Sequence, residues 1–151
     1  MNATFNPQRL IFGASSGLRS VLYRSVATPL GTWLLESGAL DRFAARNRER
    51  HLTGFIHHED GVFYQYIEGE AEAVAQVWHA IQNDPRHEGV TPLHLGPIPN
   101  RRFSRWAMGF NDGAKRSLHD WAARSGLSLK GRREAQAVGA FLEYASGAAA
   151  R

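Results

Sequence analysis

The spacing of apolar residues predicts strands and helices that alternate along most of the chain. Runs rich in β-branched and aromatic residues predict five strands, at residues 21–26, 52–58, 62–68, 91–95 and 103–110. Apolar residues at helical spacing predict a helix after the first of these runs and another after the third. The predicted order is therefore β-α-β-β-α-β-β, which is the ferredoxin-like order with one added strand.

Turn signals divide these elements. Glu59-Asp60-Gly61 lies between the second and third runs, and Asp-Gly between two strand-like runs predicts an antiparallel hairpin. Ser37-Gly38 interrupts the apolar spacing of the first helix, so we expect the regular helix to begin after it and residues 33–36 to form an earlier turn. Pro85 ends the second helix.

The last forty residues predict helices rather than strands. Apolar residues recur at helical spacing there, at Leu118, Trp121, Ala122, Ala135, Val138, Phe141, Leu142 and Ala145. Two amphipathic helices need an apolar surface to cover, and the free face of the sheet provides one. The predicted fold class is α+β: a ferredoxin-like five-stranded sheet with two helices on one face and a C-terminal helical cap on the other. We divide the chain into an N-terminal arm (1–17), a sheet domain (18–110) and the cap (111–151).

Composition limits the classes of function. A chain of 151 residues with 43% apolar and 21% charged residues is typical of a globular protein with a core large enough for a cofactor. The absence of cysteine excludes disulfides, thiolate metal sites and thiol nucleophiles. The apolar run at residues 10–12 is too short for a signal peptide or a membrane span. We therefore expect a soluble cytoplasmic protein that does not bind membranes.

The chain is basic, with a net charge of +4 and basic clusters near residues 101–105, 115–116 and 130–133. Such clusters can bind nucleic acid. No aromatic-plus-basic motif of an RNA-binding strand accompanies them, which favours a solvated basic surface. Histidines at 51, 57 and 58 raise the question of a metal site. However, His57 and His58 point to opposite faces of a strand, and no paired ligand spacing occurs, so we expect no metal.

One polar residue stands out within a predicted strand. Strand alternation places Gln65 on the same face as Phe63 and Ile67, with Tyr64, Tyr66 and Glu68 on the other face. A buried amide must find partners for its oxygen and its two N–H groups, or it costs about 1–3 kcal/mol. Tyr23 and Asn47 are the candidate partners. From the residues alone, a small structural network is the favoured explanation of this trio.

Five segments in order carry a family resemblance. They are residues 22–25 (Leu-Tyr-Arg-Ser), residues 46–54 with Arg-Asn and Leu-Thr-Gly, residues 61–69 ending in Ile-Glu-Gly, residues 84–87 (Asp-Pro-Arg-His) and residues 102–110 with Trp-Ala-Met-Gly-Phe. Together they resemble the BLUF domain, a blue-light sensor that uses a flavin. The resemblance covers about residues 18–110 without an evident gap.

The resemblance implies roles for specific residues. Those matching Tyr23, Asn47 and Gln65 surround the edge of an isoalloxazine held between the two core helices, and the glutamine bridges the tyrosine to the flavin. The segment with Asp84, Arg86 and His87 lies beside the ribityl chain and the pyrimidine side of the ring. Arg46 is a further flavin-binding candidate, at a position where the family varies. Trp106 and Met108, expected on one face of the last strand, would relay the signal, and Glu68-Gly69 would serve the turn from strand to helix.

The function implied is that of a short blue-light photoreceptor. Glutamine both donates and accepts, so its hydrogen bonds can be reversed, whereas tyrosine can yield an electron and a proton to an excited flavin. We expect non-covalent FAD, with FMN or riboflavin as alternatives. No catalytic output is expected from the cap, so the chain is not predicted to be an enzyme. The signal would pass to an unidentified downstream protein through the cap or a homo-oligomer interface.

Two alternatives come from other classes. A ferredoxin-like nucleic-acid-binding module would use the aromatic residues Phe63, Tyr64 and Tyr66 to stack bases. A small flavin- or haem-dependent oxidoreductase would use the same pocket for turnover. A yellow protein with a reversible light-induced red shift favours the sensor. A colourless protein that binds RNA favours the first alternative.

Overall fold

The computed structural model describes residues 17–36 and 38–147. The strands are β1 (Leu18–Ala27), β2 (Thr53–Glu59), β3 (Val62–Glu70), β4 (His87–Pro97) and β5 (Gly109–Asp112). The helices are α1 (Pro29–Glu36), α2 (Ala39–Glu49), α3 (Ala71–Gln82), α4 (Leu118–Ser125) and α5 (Glu134–Ser146), with a 3₁₀ turn at Gly131–Arg133. The expected N-terminal arm, apart from Gly17, lies outside the described residues.

The strands form one five-stranded sheet in the order β4-β1-β3-β2-β5. β1 pairs antiparallel with both β3 and β4, and β2 pairs antiparallel with β3. β5 is added at the edge, parallel to β2. The predicted α+β, ferredoxin-like class with one extra strand is therefore confirmed.

The β2–β3 hairpin forms where the sequence predicts it. Asp60 and Gly61 both have positive φ, 51° and 77°, which is the conformation of the tight hairpin turns that favour Asp-Gly. The turn sets the register of the hairpin, in which Glu59 pairs with Val62. The register between β1 and β3 then places Tyr23 directly opposite Gln65.

Between β1 and β2 the structure has two helices where the sequence predicts one with an early turn. Residues 29–36 form a helix of eight residues, α1, rather than a single turn. Gly38 then takes a left-handed conformation, with φ 75°, and α2 begins at Ala39. A residue without a Cβ adopts that conformation at little cost, so the Ser37-Gly38 signal marks a junction between two helices.

The last predicted strand is present, but its predicted bounds, residues 103–110, are wrong. β5 begins only at Gly109, and the residues before it follow an irregular path. Backbone groups there are engaged by other elements: Phe103 N donates to the Glu68 carboxylate, and Trp106 O accepts from Gly54 N. The backbone of this segment is therefore not free to pair as a strand over its whole length. The expected boundary after residue 110 also falls within β5.

Two hydrophobic clusters lie on opposite faces of the sheet. On one face, Val21, Ile67 and Leu52 contact α3 through Val74, Ala75 and Trp78. On the other face, Leu22, Phe55, Tyr64 and Tyr66 contact the fully buried cap residues Leu118, Val138, Phe141 and Leu142. Each such side chain contributes about 1.5–3 kcal/mol when it is removed from water. The expected placement of the C-terminal helices on the free face of the sheet is confirmed.

Polar contacts also attach the cap to the sheet. Glu59 at the end of β2 accepts from Leu118 N at 2.8 Å and from the Ser117 hydroxyl at 3.1 Å, which caps the start of α4. Arg24 pairs with Glu134 at 2.7 Å, and Arg102 pairs with Glu143. No helix within the described ranges is long and apolar enough to cross a membrane.

Candidate functional site

A cavity of about 950 Å³, part of it open to solvent, lies between the sheet, α2 and α3. Most of its wall is apolar, with Phe43 on α2, Val77 and Ile81 on α3, and Ile56 on β2. Eight of the nine residues predicted for the site line it: Tyr23, Arg46, Asn47, Gln65, Asp84, Arg86, His87 and Met108.

Tyr23 and Gln65 form the floor of this cavity. They are cross-strand neighbours on β1 and β3, and the Tyr23 hydroxyl donates to Gln65 Oε1. Gln65 Nε2 lies 3.5 Å from the Met108 sulfur and donates to it. The amide is therefore oriented with its oxygen toward the phenol and its nitrogen toward a thioether, which can accept but cannot donate.

The Tyr23 side chain is isolated from water. Its exposed fraction is 2%, and the rings of Trp78 and His87 lie 5.6 and 5.8 Å from its own. Burial raises the pKa of Tyr23 well above its ordinary value; the negative charge of Asp84 adds to that increase and Arg86 opposes it. The phenol therefore stays protonated at any physiological pH and always has a proton to donate.

Asn47 joins the end of α2 to the segment that leads into β5. Its side chain is buried, with 6% exposed, and Nδ2 donates to Ala107 O at 2.7 Å. Its main-chain oxygen accepts from Leu52 N at 2.8 Å. Asn47 thereby fixes the residue that precedes Met108. Arg46, its neighbour, is exposed and lies over the Phe43 ring at 5.2 Å.

Asp84 and Arg86 form an ion pair at the end of α3 that lines the cavity. Burial raises the pKa of Asp84, but the hydrogen bonds and the charge of Arg86 outweigh it and hold that pKa below its ordinary value. Nε and Nη2 of Arg86 donate to the carboxylate. The guanidinium also lies 4.6 Å above the Phe43 ring, so its plane is fixed against α2.

The ring nitrogens of His87 are both used within the protein. Nε2 lies 2.8 Å from Ile81 O, and because a carbonyl only accepts, this nitrogen carries a proton. Nδ1 lies 2.8 Å from the Ser25 hydroxyl, which donates to it when the ring is neutral. His87 therefore contributes its ring edge to the wall beside Tyr23, and not a free hydrogen-bonding nitrogen.

Trp106 lies apart from the other predicted residues. It is 41% exposed and contacts Phe55 edge-on at 6.2 Å, whereas Met108 lies against Gln65. The expectation that the two residues share one strand face is wrong because they do not belong to a strand. The structure also shows that Glu68 holds main-chain groups of this segment. Glu68 was expected to serve the turn from strand to helix; the sequence signal for the role observed is a carboxylate within the otherwise uncharged run 62–68.

The surface required by the nucleic-acid alternative is not exposed. Phe63, Tyr64 and Tyr66 are only 7%, 8% and 1% exposed. Tyr64 and Tyr66 lie beneath the cap, and Phe63 lines the cavity. These rings are therefore not available to stack on bases as that alternative requires.

The histidines considered as metal ligands do not converge on one site. His57 is fully buried against Asn111 and Glu59, and burial lowers its pKa despite the opposing effect of Glu59. His58 lies on the other face, against the Phe63 ring at 5.0 Å. A different trio, Glu59, Asp60 and His119, does come together. There the Glu59 carboxylate already accepts the N–H groups at the start of α4, where the helix dipole disfavours a cation.

Comparison with known proteins was made at the levels of family, sequence and structure, and the three results agree. The model of the BLUF family, described as sensors of blue light using FAD, matches residues 18–109. A photoactivated adenylate cyclase subunit beta of Euglena gracilis is 34% identical over 92 residues, which cover 60% of this chain and 11% of that protein. The blue light- and temperature-regulated antirepressor BluF of Escherichia coli is 34% identical over 67 residues, covering 44% of this chain and 17% of that protein. The chain thus spans only a small part of the length of these relatives.

A solved structure matches almost end to end. The dark-state structure of the BLUF protein BlrB is 26% identical, with a TM-score of 0.68, and the match covers 84% of this chain and 98% of that one. The photo-activated state of BlsA has a TM-score of 0.69 at 22% identity and covers 85% of this chain and 94% of that one, which supports the fold. Both matches cover more of this chain than residues 18–109 alone.

Proposed function

The chain belongs to the BLUF family of blue-light sensors that use FAD, and on that premise we propose that its cavity holds a flavin whose light response runs through Tyr23 and Gln65. One observation carries the proposal: at the floor of the cavity, the buried Tyr23 hydroxyl donates to a Gln65 amide whose nitrogen faces Met108. This is an amide with two distinguishable orientations, held beside a phenol.

The residues present fit a flavin. The cavity is lined by Gln65 at its floor, by charged groups at Arg50 and Asp84, and by apolar side chains. A flat aromatic ring with polar edges requires such walls together with a few donors and acceptors. Asn47, Gln65 and Arg86 supply amide and guanidinium groups for the ring edge. Arg46, Asp84 and the ring edge of His87 complete the binding set. We propose FAD as the bound form, with FMN and riboflavin as alternatives.

The residues of the protein take part in the light response through the hydrogen bonds of Tyr23 and Gln65. When bound, the flavin supplies absorption of blue light and an excited state that can take up an electron. The hydroxyl proton of Tyr23 lies in the hydrogen bond to Gln65 Oε1. That oxygen is therefore the atom to which the proton can move. Reversal of the Gln65 amide exchanges Oε1 and Nε2 without any backbone movement. The contact with Met108 is then lost, since neither an amide oxygen nor a thioether can donate.

We propose that the signal leaves through the segment containing Met108 and through the cap. Between residues 113 and 147 the structure has two helices and one 3₁₀ turn, and we assign them no catalytic role. The output would be a changed contact with a downstream protein or with a second copy of the chain, in the cytoplasm. Trp106, which is exposed beside this segment, would change its surroundings when the segment moves.

The direct test is an absorption difference spectrum of the purified, flavin-loaded protein before and after blue light. We expect a yellow protein whose flavin spectrum shifts to the red and returns in darkness. A spectrum that does not change under illumination would overturn the sensor function. Net flavin turnover with an added electron donor, without the shift, would instead support the oxidoreductase alternative.

Replacement of Asn47 by alanine should weaken flavin binding by about tenfold or more, which corresponds to about 1.4 kcal/mol. The change removes a buried amide from the cavity wall and also the bond to Ala107 O. Asn83→Ala is the matched control, because the Asn83 amide also donates to a main-chain oxygen, that of His79, but is exposed. The dissociation constant of added flavin, measured by fluorescence quenching, separates the two variants. Equal losses would show that the cavity is not the flavin site.

A further inference from the structure

Glu68 is a fully buried carboxylate in β3. Its exposed fraction is 0%. It accepts three hydrogen bonds: from Arg102 N at 2.6 Å, from Phe103 N at 2.8 Å and from the Thr53 hydroxyl at 2.8 Å. A buried charge is costly unless such bonds satisfy it. Two consecutive main-chain N–H groups are therefore fixed to one point on the sheet.

These two N–H groups begin a segment of the chain that leads to Met108. Residues 102–108 are called the crossing segment here. Glu68 holds the start of the crossing segment, and Gln65, three residues earlier in β3 and on its opposite face, contacts the end of it through Met108. Between these points Trp106 O accepts from Gly54 N at 2.8 Å. One strand thus carries both the amide of the switch and the anchor of the residue that the amide contacts.

The side chain of Arg102 connects the start of the crossing segment to the cap. Its guanidinium pairs with Glu143 on α5 and lies 5.3 Å above the Tyr66 ring. It also lies directly against Gly139, where a Cβ would come within 2.9 Å of it. The start of the crossing segment is therefore held by β3 on one side and by the cap on the other. Its other end is held by the bond from Asn47 Nδ2 to Ala107 O and by the weaker sulfur contact of Met108.

We propose that Glu68 is a positioning residue for the light response: it fixes the crossing segment so that the Met108 sulfur stays against the Gln65 amide. This inference rests on the proposed function of Gln65. The return of the amide to the orientation seen in the structure must re-form the contact with Met108. When the crossing segment is held less firmly, the Met108 sulfur is less often in position to accept from the Gln65 amide. The return of the amide to this orientation should therefore be slower.

Glu68→Gln is the test substitution. Glutamine has nearly the same size, but it retains one acceptor oxygen and turns an NH₂ group toward main-chain donors. Glu59→Gln is the matched control, because Glu59 is also a buried carboxylate on this sheet that accepts main-chain N–H groups, but those of the cap. Both variants are made in the full chain.

The first measurement is made in darkness and does not depend on photochemistry. Amide hydrogen exchange at Gly54 and Trp106 reports the bonds that the crossing segment makes, Gly54 N to Trp106 O and Trp106 N to Phe103 O. We expect exchange at these amides to be about tenfold faster in Glu68→Gln and within about twofold of wild type in Glu59→Gln. Equal exchange in the two variants would overturn the anchoring role.

The second measurement is the dark recovery of the red-shifted spectrum. Glu68→Gln should retain flavin and the shift but recover at least about threefold more slowly than wild type. Met108→Leu, which removes the sulfur and retains the volume, should slow recovery similarly, and the double variant should be no slower than the slower single variant. Recovery less than threefold slower in Glu68→Gln, or additive effects in the double variant, would overturn the proposal.

The outcomes separate this inference from the function on which it rests. If the wild type and Glu59→Gln show no light-induced shift, the proposed function fails. If both show it and Glu68→Gln recovers like them, only the positioning role fails. Should Glu68→Gln not yield a soluble flavoprotein, Thr53→Val removes one of the three bonds to the carboxylate. The dark recovery of the double variant Thr53→Val, Met108→Leu is then compared with that of each single variant. A double variant slower than the slower single variant would overturn the proposal.

Discussion

Replacement of Gln65 by leucine is expected to leave a yellow, folded protein that shows no reversible red shift after blue light. Leucine resembles glutamine in volume, so the cavity floor should keep its packing. It can neither accept from the Tyr23 hydroxyl nor donate to the Met108 sulfur, which are the two contacts that define the amide orientation. The amplitude of the light-minus-dark difference spectrum should therefore fall to the noise level while flavin content stays within about twofold of wild type.

The control for this variant is Gln76→Leu, which makes the same chemical change at an exposed position of α3. It should retain the full spectral shift. A normal reversible shift in Gln65→Leu would falsify the assignment of Gln65 as the switch. Loss of flavin in Gln65→Leu alone would instead show that the amide is needed to hold the ring.

The elements that sequence reasoning located best are those fixed by local chemistry. Asp60-Gly61 supplies the positive φ values of the hairpin turn, and the alternation in β3 places Gln65 and Glu68 on opposite faces, as the structure shows. The turn does not determine the register of β3 against β1, and the structure shows that this register brings Tyr23 opposite Gln65. The helical periodicity at the C-terminus likewise predicted the cap, because only one sheet face remained for it to cover.

The crossing segment could not be predicted in the same way. Aromatic residues at 103, 106 and 110 are typical of a strand, but the path of the chain there is set by partners distant in sequence. Glu68 is 34 residues from Arg102, and Asn47 is 60 residues from Ala107. A pattern within a short window carries no information about such bonds. Which of Trp106 and Met108 lies beside Gln65 therefore had to come from the structure.

The role of His87 in the cavity could also be predicted only in part from the sequence. The family resemblance places this residue beside the flavin, and it does line the cavity. Its nitrogens, however, are engaged by Ser25 and by Ile81 O, and neither partner is evident from the sequence. Residue type predicted the location of His87, whereas its hydrogen bonds determine what it can offer to a ligand.

Replacement of Tyr23 by phenylalanine is expected to abolish the red shift by removing the proton donor rather than the switch. Phenylalanine keeps the ring that contacts Trp78 and His87, so the β1 core and flavin content should survive. Fluorescence of the bound flavin should last longer because the phenol beside it is gone. Tyr64→Phe is the matched control, since its hydroxyl lies on the opposite sheet face, beneath the cap. A normal shift in Tyr23→Phe, or its loss in Tyr64→Phe, would contradict this role.

The buried environment of Tyr23 adds a test that needs no substitution. Because burial and the charge of Asp84 raise the pKa of this phenol above its ordinary value of 10.0, it should remain protonated where an exposed tyrosine ionises. The amplitude of the red shift in the wild type should then stay constant as the pH rises from 7 to about 10, provided that the protein remains folded. A midpoint of loss at or below pH 10, with circular dichroism unchanged, would contradict a pKa of Tyr23 raised by its buried surroundings as the property that sets the pH range of the light response.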